Sequence, residues 1–221
     1  MRYKAVIFDL DGTLIDSMGI WYDVDREFLG KRNIEVPDDL FTSIPGGNSY
    51  REIAGYFKNR FGLDDSIDEI MAEWTDMVAH HYQGNVCLKE GVLPVLKYLD
   101  KNRIKIGLGT SNCLMLTESV LKANKVIEYF PNIIAGCEDI TGKPFPDIFL
   151  KVAETMQVPP ADCIVIEDVL VGVQAARNAG MYCIAIADQY ALNEAGRIRN
   201  TADYYAENYT EVLRHLLEIA E

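Results

Sequence analysis

Short hydrophobic runs alternate with amphipathic stretches along most of the chain. Five runs are compact and apolar enough to predict buried strands. They occupy residues 5–8, 104–108, 132–135, 163–166 and 183–187. The stretches between them repeat hydrophobic residues every three or four positions, which predicts helices with one buried face, most clearly at residues 92–99, 147–156 and 170–179. Strands that alternate with helices predict an α/β fold, a parallel sheet with helices on both faces.

Residues 16–87 break this alternation and contain no convincing strand pattern. Helical spacing recurs three times in this stretch, at residues 18–28, 49–57 and 67–78. Ser66, followed three positions later by Glu69, forms a capping box at the start of the third helix. An all-helical cap domain is therefore predicted to be inserted after the first strand. The predicted core consists of residues 1–15 and 88–221, and the two adjacent connections suit a cap that moves as a lid.

Polar side chains follow four of the predicted strands, each near the point where the strand ends. They are Asp9 and Asp11, then Thr110, Ser111 and Asn112, then Lys143, and finally Glu167 and Asp168. Because the carboxyl ends of parallel strands meet at one edge of a sheet, these groups are expected to gather at one site. Asp9 and Asp11 would repel there by ~4 kcal/mol at ~4 Å and an effective dielectric of ~20, so a bound cation or a shared proton is expected.

The chemistry of this polar set points to a divalent ion and a phosphoryl group. Carboxylates without a histidine or cysteine partner favour Mg2+, a hard ion that prefers oxygen ligands. Lys143 and the ion could neutralise a phosphoryl group, while the Thr110 hydroxyl could hold its oxygens. One carboxylate could take up the phosphoryl group as a nucleophile, and a second could protonate the leaving oxygen and then activate water.

Composition and charge narrow the classes of function. With 49% hydrophobic and 25% charged residues, the chain is typical of a soluble globular protein. No apolar run approaches the ~18 residues of a membrane span, and the first strand begins too early to leave room for a signal peptide. The net charge of −13 argues against nucleic acid as a partner, whereas a few local cations still permit a small anionic substrate. The five cysteines are odd in number and form no C-x-x-C pair, which favours reduced thiols in the cytoplasm.

Four ordered segments resemble the four motifs of the haloacid dehalogenase-like hydrolases. They are residues 8–13 (FDLDGT), 109–112 (GTSN), 142–147 (GKPFPD) and 166–173 (IEDVLVGV). The resemblance covers essentially the whole chain and is strongest to the beta-phosphoglucomutase-like phosphatases. It implies a Rossmann-like parallel sheet in the core and, over residues 16–87, a cap similar to a four-helix bundle.

The resemblance also implies a role for each polar residue of the predicted site. Asp9 matches the nucleophile that becomes phosphorylated, and Asp11 matches the general acid and base. The implied catalytic set is Asp9, Asp11, Thr110 and Lys143. The implied phosphate-binding set is Thr110, Ser111, Asn112 and Lys143. The implied ligands of Mg2+ are Asp9, the backbone carbonyl of Asp11, Glu167 and Asp168.

Cap residues bear on the choice between a phosphatase and a phosphomutase. The candidates for substrate contact are Gly47, Asn48, Trp21 and Arg51. The sugar phosphomutases that this chain resembles carry a histidine where Trp21 stands, and Arg51 is out of register with their cap arginine. A phosphatase is therefore favoured, with a hexose phosphate phosphomutase of the beta-phosphoglucomutase type as the alternative.

Other classes of protein remain as weaker alternatives. Dehalogenases of the resembled family lack the second aspartate, so Asp11 favours phosphoryl transfer over dehalogenation. A non-catalytic phospho-acceptor module would share the acid pair, hydroxyl and lysine, but such modules usually span ~100–150 residues and carry no helical insert. A calcium loop fails at Thr13 and Ile20, and a dinucleotide loop at residues 107–112 lacks its third glycine.

The sequence thus predicts a Mg2+-dependent phosphatase that acts on small phosphate monoesters through a phospho-aspartate intermediate. The expected substrate is a small phosphorylated metabolite, either a sugar phosphate or a nucleotide-related one. A monomer is the expected oligomeric state.

Overall fold

A six-stranded parallel sheet forms the centre of the molecule, in a computed structural model that describes residues 3–40, 49–84, 86–136 and 140–220. The strands are β1 (Ala5–Phe8), β2 (Lys105–Thr110), β3 (Asn132–Ala135), β4 (Cys163–Glu167), β5 (Tyr182–Ile186) and β6 (Tyr204–Ala206). Their order is β3-β2-β1-β4-β5-β6, and every neighbouring pair is parallel. The order reverses between β1 and β4, which is where ligands bind in open sheets of this kind.

Helices connect the strands and follow the last one. They are α1 (Met18–Lys31), α2 (Tyr50–Phe61), α3 (Ile67–Tyr82), α4 (Val92–Lys101), α5 (Leu114–Ala123), α6 (Asp147–Met156), α7 (Leu170–Asn178), α8 (Ala195–Thr201) and α9 (Tyr209–Glu218). Within the described ranges, no helix combines the length and the apolar character that crossing a bilayer would require.

Two hydrophobic clusters cover the two faces of the sheet. Val6 and Phe8 of β1 belong to one cluster, together with buried residues of α4, α5 and α9. Ala5 and Ile7 of the same strand belong to the other cluster, which includes α6, α7 and α8. This alternation follows from the two-residue period of a strand. It confirms the predicted α/β class with helices on both faces of the sheet.

The sequence missed the last strand and the short helix before it. β6 is only three residues long and lies at the edge of the sheet, paired with β5. Tyr204 and Tyr205 remain half-buried, so the strand lacks the continuous apolar run that marks the interior strands. α8 is seven residues long and buries Ile198, which is too little for a helical period to stand out.

Among the described residues, three helices, α1 to α3, lie between β1 and α4, and the described part of residues 16–87 contains no strand. Ser49 and Ser66 each form the N-cap of a capping box, at the starts of α2 and α3 respectively. Phe28, Phe57 and Trp74 join the three helices through edge-to-face ring contacts. The domain boundaries at residues 15 and 88 remain a prediction.

The chain leaves the core and returns to it through two segments that run side by side. The Asp16 amide donates a hydrogen bond of 3.0 Å to the Cys87 carbonyl, and the Lys89 amide donates one of 3.0 Å to the Leu14 carbonyl. Ile15 and Leu88 form an antiparallel bridge between these two bonds. Both connections therefore lie beside the carboxyl end of β1, next to the two aspartates that follow this strand.

Candidate active site

A buried lysine bridges two buried carboxylates at the carboxyl ends of β1 and β4. The Asp9 amide donates to the Ile166 carbonyl at 3.0 Å, which fixes Asp9 beside the end of β4. Lys143 comes from the loop before α6 and is only 4% exposed. Its Nζ lies 2.6 Å from Asp9 Oδ1 and also forms an ion pair with Glu167 Oε1. The structure thus brings the predicted lysine to the predicted nucleophile.

Three buried carboxylates face one another around this lysine. Asp9, Glu167 and Asp168 offer oxygen atoms that all lie within 4.8 Å of each other. Burial raises the pKa of Asp9 to about 8, with Lys143 opposing the shift and Glu167 adding to it. Burial, followed by the charges of Glu167 and Asp9, also raises the pKa of Asp168 well above its ordinary value. The cluster carries more negative charge than Lys143 compensates, so a proton or a cation is needed.

The Lys143 ammonium itself stays charged in this setting. Burial alone would lower the pKa of Lys143, but the neighbouring charges of Asp9 and Glu167 outweigh it and hold this pKa above the ordinary lysine value. A permanent positive charge therefore lies next to Asp9, where a phosphoryl group could use it.

One oxygen of Asp168 is available for a metal ion. Asp168 Oδ1 accepts a hydrogen bond of 2.6 Å from Thr13 Oγ1. Asp168 Oδ2 is buried and has no hydrogen-bond partner among the described residues. A buried carboxylate oxygen left unpaired is costly, and a cation would satisfy it. The cluster supplies only oxygen ligands, which fits a hard divalent ion such as Mg2+.

Gly12 is required next to this oxygen for two reasons. Its backbone φ is +79°, a conformation that side chains rarely adopt. A Cβ atom at this position would also lie 2.3 Å from Asp168 Oδ2. The glycine that follows the aspartate pair therefore keeps open the space around the unpaired oxygen.

Backbone amides hold the Glu167 carboxylate in place. Its Oε2 accepts from the amides of Asp168 at 2.8 Å and Val169 at 3.0 Å. The N-cap of α7 is Val169, whose own side chain makes no capping hydrogen bond. A Cβ atom at Gly172 would lie 1.8 Å from Glu167 Oε1. Sequence reasoning gave Gly172 no role, although a glycine inside a helix costs ~1 kcal/mol relative to alanine and signals a close approach.

The segment after β2 places its polar residues in two different environments. Thr110 is buried, and its Oγ1 accepts from the Asn112 amide at 3.1 Å. Ser111 lies on a cleft that is also lined by Ser49, Thr141 and Lys143. Asn112 instead directs its side-chain amide to Asp11 Oδ2 at 2.9 Å. Thr110, Ser111 and Lys143 thus remain candidates for phosphate binding, whereas the Asn112 amide is engaged with the second aspartate.

Asp11 accepts hydrogen bonds from donors that lie far apart in the sequence. Ser17 Oγ and Trp21 Nε1 donate to Asp11 Oδ1 at 2.6 and 3.0 Å, and the Tyr82 hydroxyl donates to the same oxygen. The sequence named Trp21 as a substrate contact and missed Ser17 and Tyr82. Tyr82 lies 71 positions after Asp11, and no local pattern connects the two residues.

Among the described residues, Arg51 is a cap candidate that the structure does not bring to Asp9. Arg51 is exposed on α2 and pairs with Asp68 at 2.5 Å. Gly47 and Asn48 lie outside the described residues. Their contact with substrate stays a prediction.

A protein-family model and a solved structure match most of the chain. The family model described as haloacid dehalogenase-like hydrolase matches residues 6–186, which include all four motifs. The chain therefore belongs to the haloacid dehalogenase-like hydrolases. A solved hydrolase from Pseudomonas syringae has a TM-score of 0.83 and 26% identity, with 98% of this chain and 99% of that chain covered.

Two curated relatives place the chain within the beta-phosphoglucomutase-like branch of the family. The phosphorylated carbohydrates phosphatase of Thermotoga maritima is 28% identical over 200 residues, covering 88% of this chain and 92% of that protein. The beta-phosphoglucomutase of Bacillus subtilis is 28% identical over 211 residues, covering 92% of this chain and 92% of that protein. These similarities confirm that the protein is an enzyme of the family that the four motifs predicted.

Proposed function

We propose that the protein is a Mg2+-dependent phosphatase of small phosphate monoesters that works through phosphorylated Asp9. The observation that carries this proposal is the buried cluster of Asp9, Glu167 and Asp168 with Lys143 bonded to the first two. The similarity to a phosphatase of phosphorylated carbohydrates supports a sugar phosphate as the substrate class. Residues 16–87 would act as a cap that covers this site.

In the first step, Asp9 acts as the nucleophile. Lys143 holds Asp9 Oδ1 at 2.6 Å, which orients the carboxylate so that an oxygen can attack phosphorus. The new bond joins this oxygen to phosphorus, while the bond from phosphorus to the leaving oxygen breaks and its electron pair goes to that oxygen. Asp11 supplies the proton that neutralises the leaving oxygen. Thr110, Ser111 and Lys143 hold the phosphoryl oxygens during the transfer.

In the second step, Asp11 takes a proton from water, and this water attacks phosphorus. The bond between phosphorus and Asp9 then breaks, which releases inorganic phosphate and restores the Asp9 carboxylate. Asp9, the backbone carbonyl of Asp11, Glu167 and Asp168 would hold Mg2+. When bound, the ion supplies positive charge that offsets the carboxylates and the phosphoryl group.

A panel of metabolite phosphates tests the proposal directly. We expect release of inorganic phosphate from several sugar monophosphates in the presence of Mg2+, and a loss of this release when EDTA removes the ion. Hexose 1-phosphates and 6-phosphates belong in the panel beside nucleotide-related monophosphates. Absence of Mg2+-dependent phosphate release from the whole panel would overturn the proposal.

The similarity to beta-phosphoglucomutase makes a phosphomutase the second candidate. A mutase retains the phosphate on its product, so the two candidates differ in one measurement. Incubation with a hexose 1-phosphate and a bisphosphate primer would yield the 6-phosphate for a mutase and inorganic phosphate for a phosphatase. In the structure, Trp21 donates to Asp11 and Arg51 pairs with Asp68, which favours the phosphatase.

The effect of Mg2+ on stability should depend on pH. The pKa of Asp9 is about 8 in the folded protein against an ordinary value of 3.8. A proton on Asp9 therefore favours the folded state. Its contribution to the free energy of unfolding is complete below pH 3.8 and is lost as the pH rises through about 8. Mg2+ must displace this proton at low pH, so we expect a larger rise in Tm at about pH 8 than near pH 5.

Thermal unfolding with Mg2+ and with EDTA at the two pH values measures this difference. The Asp9→Asn variant is the matched control. Because the asparagine side chain cannot ionise, its Mg2+-induced shift in Tm should depend less on pH. An equal Mg2+-induced shift at both pH values in the wild type would contradict the expectation.

A further inference from the structure

Tyr82 is a buried residue that no motif includes, yet its hydroxyl contacts Asp11. It is the last residue of α3, and its side chain is completely buried. The hydroxyl donates to Asp11 Oδ1 and accepts a hydrogen bond of 3.3 Å from Asn112 Nδ2. The Asn112 amide therefore orients the phenol, because the oxygen that accepts from Asn112 must direct its own proton toward Asp11.

The hydrogen-bond donors around Asp11 are distributed unequally between its two carboxylate oxygens. Ser17, Trp21 and Tyr82 all donate to Oδ1, whereas Asn112 is the one donor to Oδ2 in the part of the chain that the structure describes. Three donors saturate the acceptor capacity of Oδ1, so this oxygen cannot exchange a proton with a substrate while the contacts hold. Asn112 follows β2 and lies two positions after Thr110, so Oδ2 faces the phosphate-binding segment.

We propose that Tyr82 is a positioning residue that fixes the orientation of the Asp11 carboxyl, so that Oδ2 is the oxygen that passes the proton to the leaving group. The inference rests on the proposed function, in which Asp11 is the general acid. Tyr82 acts from the end of α3 and so links the helical insert to the chemistry of the core. Burial and the Asp11 charge raise the pKa of the Tyr82 phenol well above its ordinary value, so it stays a donor.

The choice of leaving group separates a positioning role from a general structural one. An alkyl phosphate needs a proton on its leaving oxygen, whereas nitrophenyl phosphate releases a stable anion and needs little acid assistance. The value of kcat/KM reports the steps up to release of the leaving group. We expect Tyr82→Phe to lower kcat/KM for an alkyl phosphate such as glycerol phosphate by about 10- to 100-fold, as misorientation of an acid group does. For nitrophenyl phosphate the loss should stay within about 3-fold.

A double-mutant cycle with Asp11→Asn shows whether Tyr82 acts through Asp11. Once the acid is removed, Tyr82→Phe should cause no further loss on the alkyl phosphate, because residues that act as a unit are not additive. Trp21→Phe removes another donor to the same oxygen and should shift the selectivity in the same direction. It keeps the test informative if Tyr82→Phe folds poorly.

Tyr50→Phe is the matched control, because Tyr50 is also a buried tyrosine of the insert and its hydroxyl faces Thr75 and the Met71 carbonyl. It should leave the ratio of the two kcat/KM values unchanged. An equal loss on both substrates, or no loss in Tyr82→Phe, would overturn the inference while leaving the phosphatase intact. A wild type that hydrolyses neither substrate, or an Asp11→Asn variant without selective loss, would instead remove the acid role on which the inference rests.

Discussion

Replacing Asp9 with asparagine should reduce phosphate release by about 10^4-fold or more, because the variant lacks the proposed nucleophile. Asparagine has almost the same shape as aspartate, so the packing beside Lys143 and Ile166 should persist. The substitution also removes one of the three carboxylates that lie close together. Burial raises the pKa of this carboxyl, Asp9, to about 8. The free energy of unfolding of the metal-free protein should therefore rise at about pH 8 even as activity disappears.

Phosphate release should fall while the free energy of unfolding rises, so measuring both identifies why activity is lost. Loss of activity with a gain in stability excludes unfolding as the cause. Asp162→Asn is the matched control, since Asp162 lies at the opposite end of β4 and pairs with the exposed Lys4. It should leave phosphate release unchanged. Activity of Asp9→Asn above about a tenth of the wild-type value would rule out the nucleophile assignment.

Replacing Lys143 with methionine should impair both stability and activity. The Lys143 side chain is 4% exposed and its ammonium pairs with both Asp9 and Glu167, so its removal leaves these buried carboxylates without their cation. Breaking a buried ion pair in this way costs about 3–5 kcal/mol, and the loss of one charge that stabilises the transition state costs about 10^2- to 10^3-fold in kcat. Urea unfolding in EDTA and phosphate release in Mg2+ measure the two effects separately.

A second substitution identifies the cause of the instability. In the Asp9→Asn/Lys143→Met double variant one of the unpaired carboxylates is gone, so part of the lost stability should return. Lys97→Met on the exposed face of α4 is the control for the loss of a lysine. If metal-free Lys143→Met is as stable as the wild type at about pH 8, the lysine does not compensate the acid cluster.

The sequence predicted the sheet and the central part of the site because both depend on patterns that are local in the chain. β1 and β3 have the predicted bounds, and α6 runs from Asp147 to Met156 as predicted. The residues that follow β1, β2 and β4 meet because parallel strands bring their carboxyl ends to one edge. The meeting of Lys143 with Asp9 and Glu167 follows from the same topology.

What the sequence did not reveal depends on contacts between distant segments. The Tyr82 hydroxyl reaches Asp11 only because the insert returns to the core beside the point where it leaves. The predicted helical spacing at residues 67–78 ends before Tyr82, and periodicity carries no information about which residue lies opposite a given side chain. Arg51 illustrates the same limit, since its partner Asp68 comes from the next helix of the insert.

The paired connections at residues 14–16 and 87–89 have a consequence for how this enzyme could change over time. Backbone hydrogen bonds join the outgoing and returning segments at the point where the insert begins and ends. The strands of the sheet would keep their order and register if the intervening helices were lengthened, shortened or exchanged. If the insert covers the site as proposed, selection could alter which molecules reach the carboxylates while the sheet and the residues at its edge stay the same.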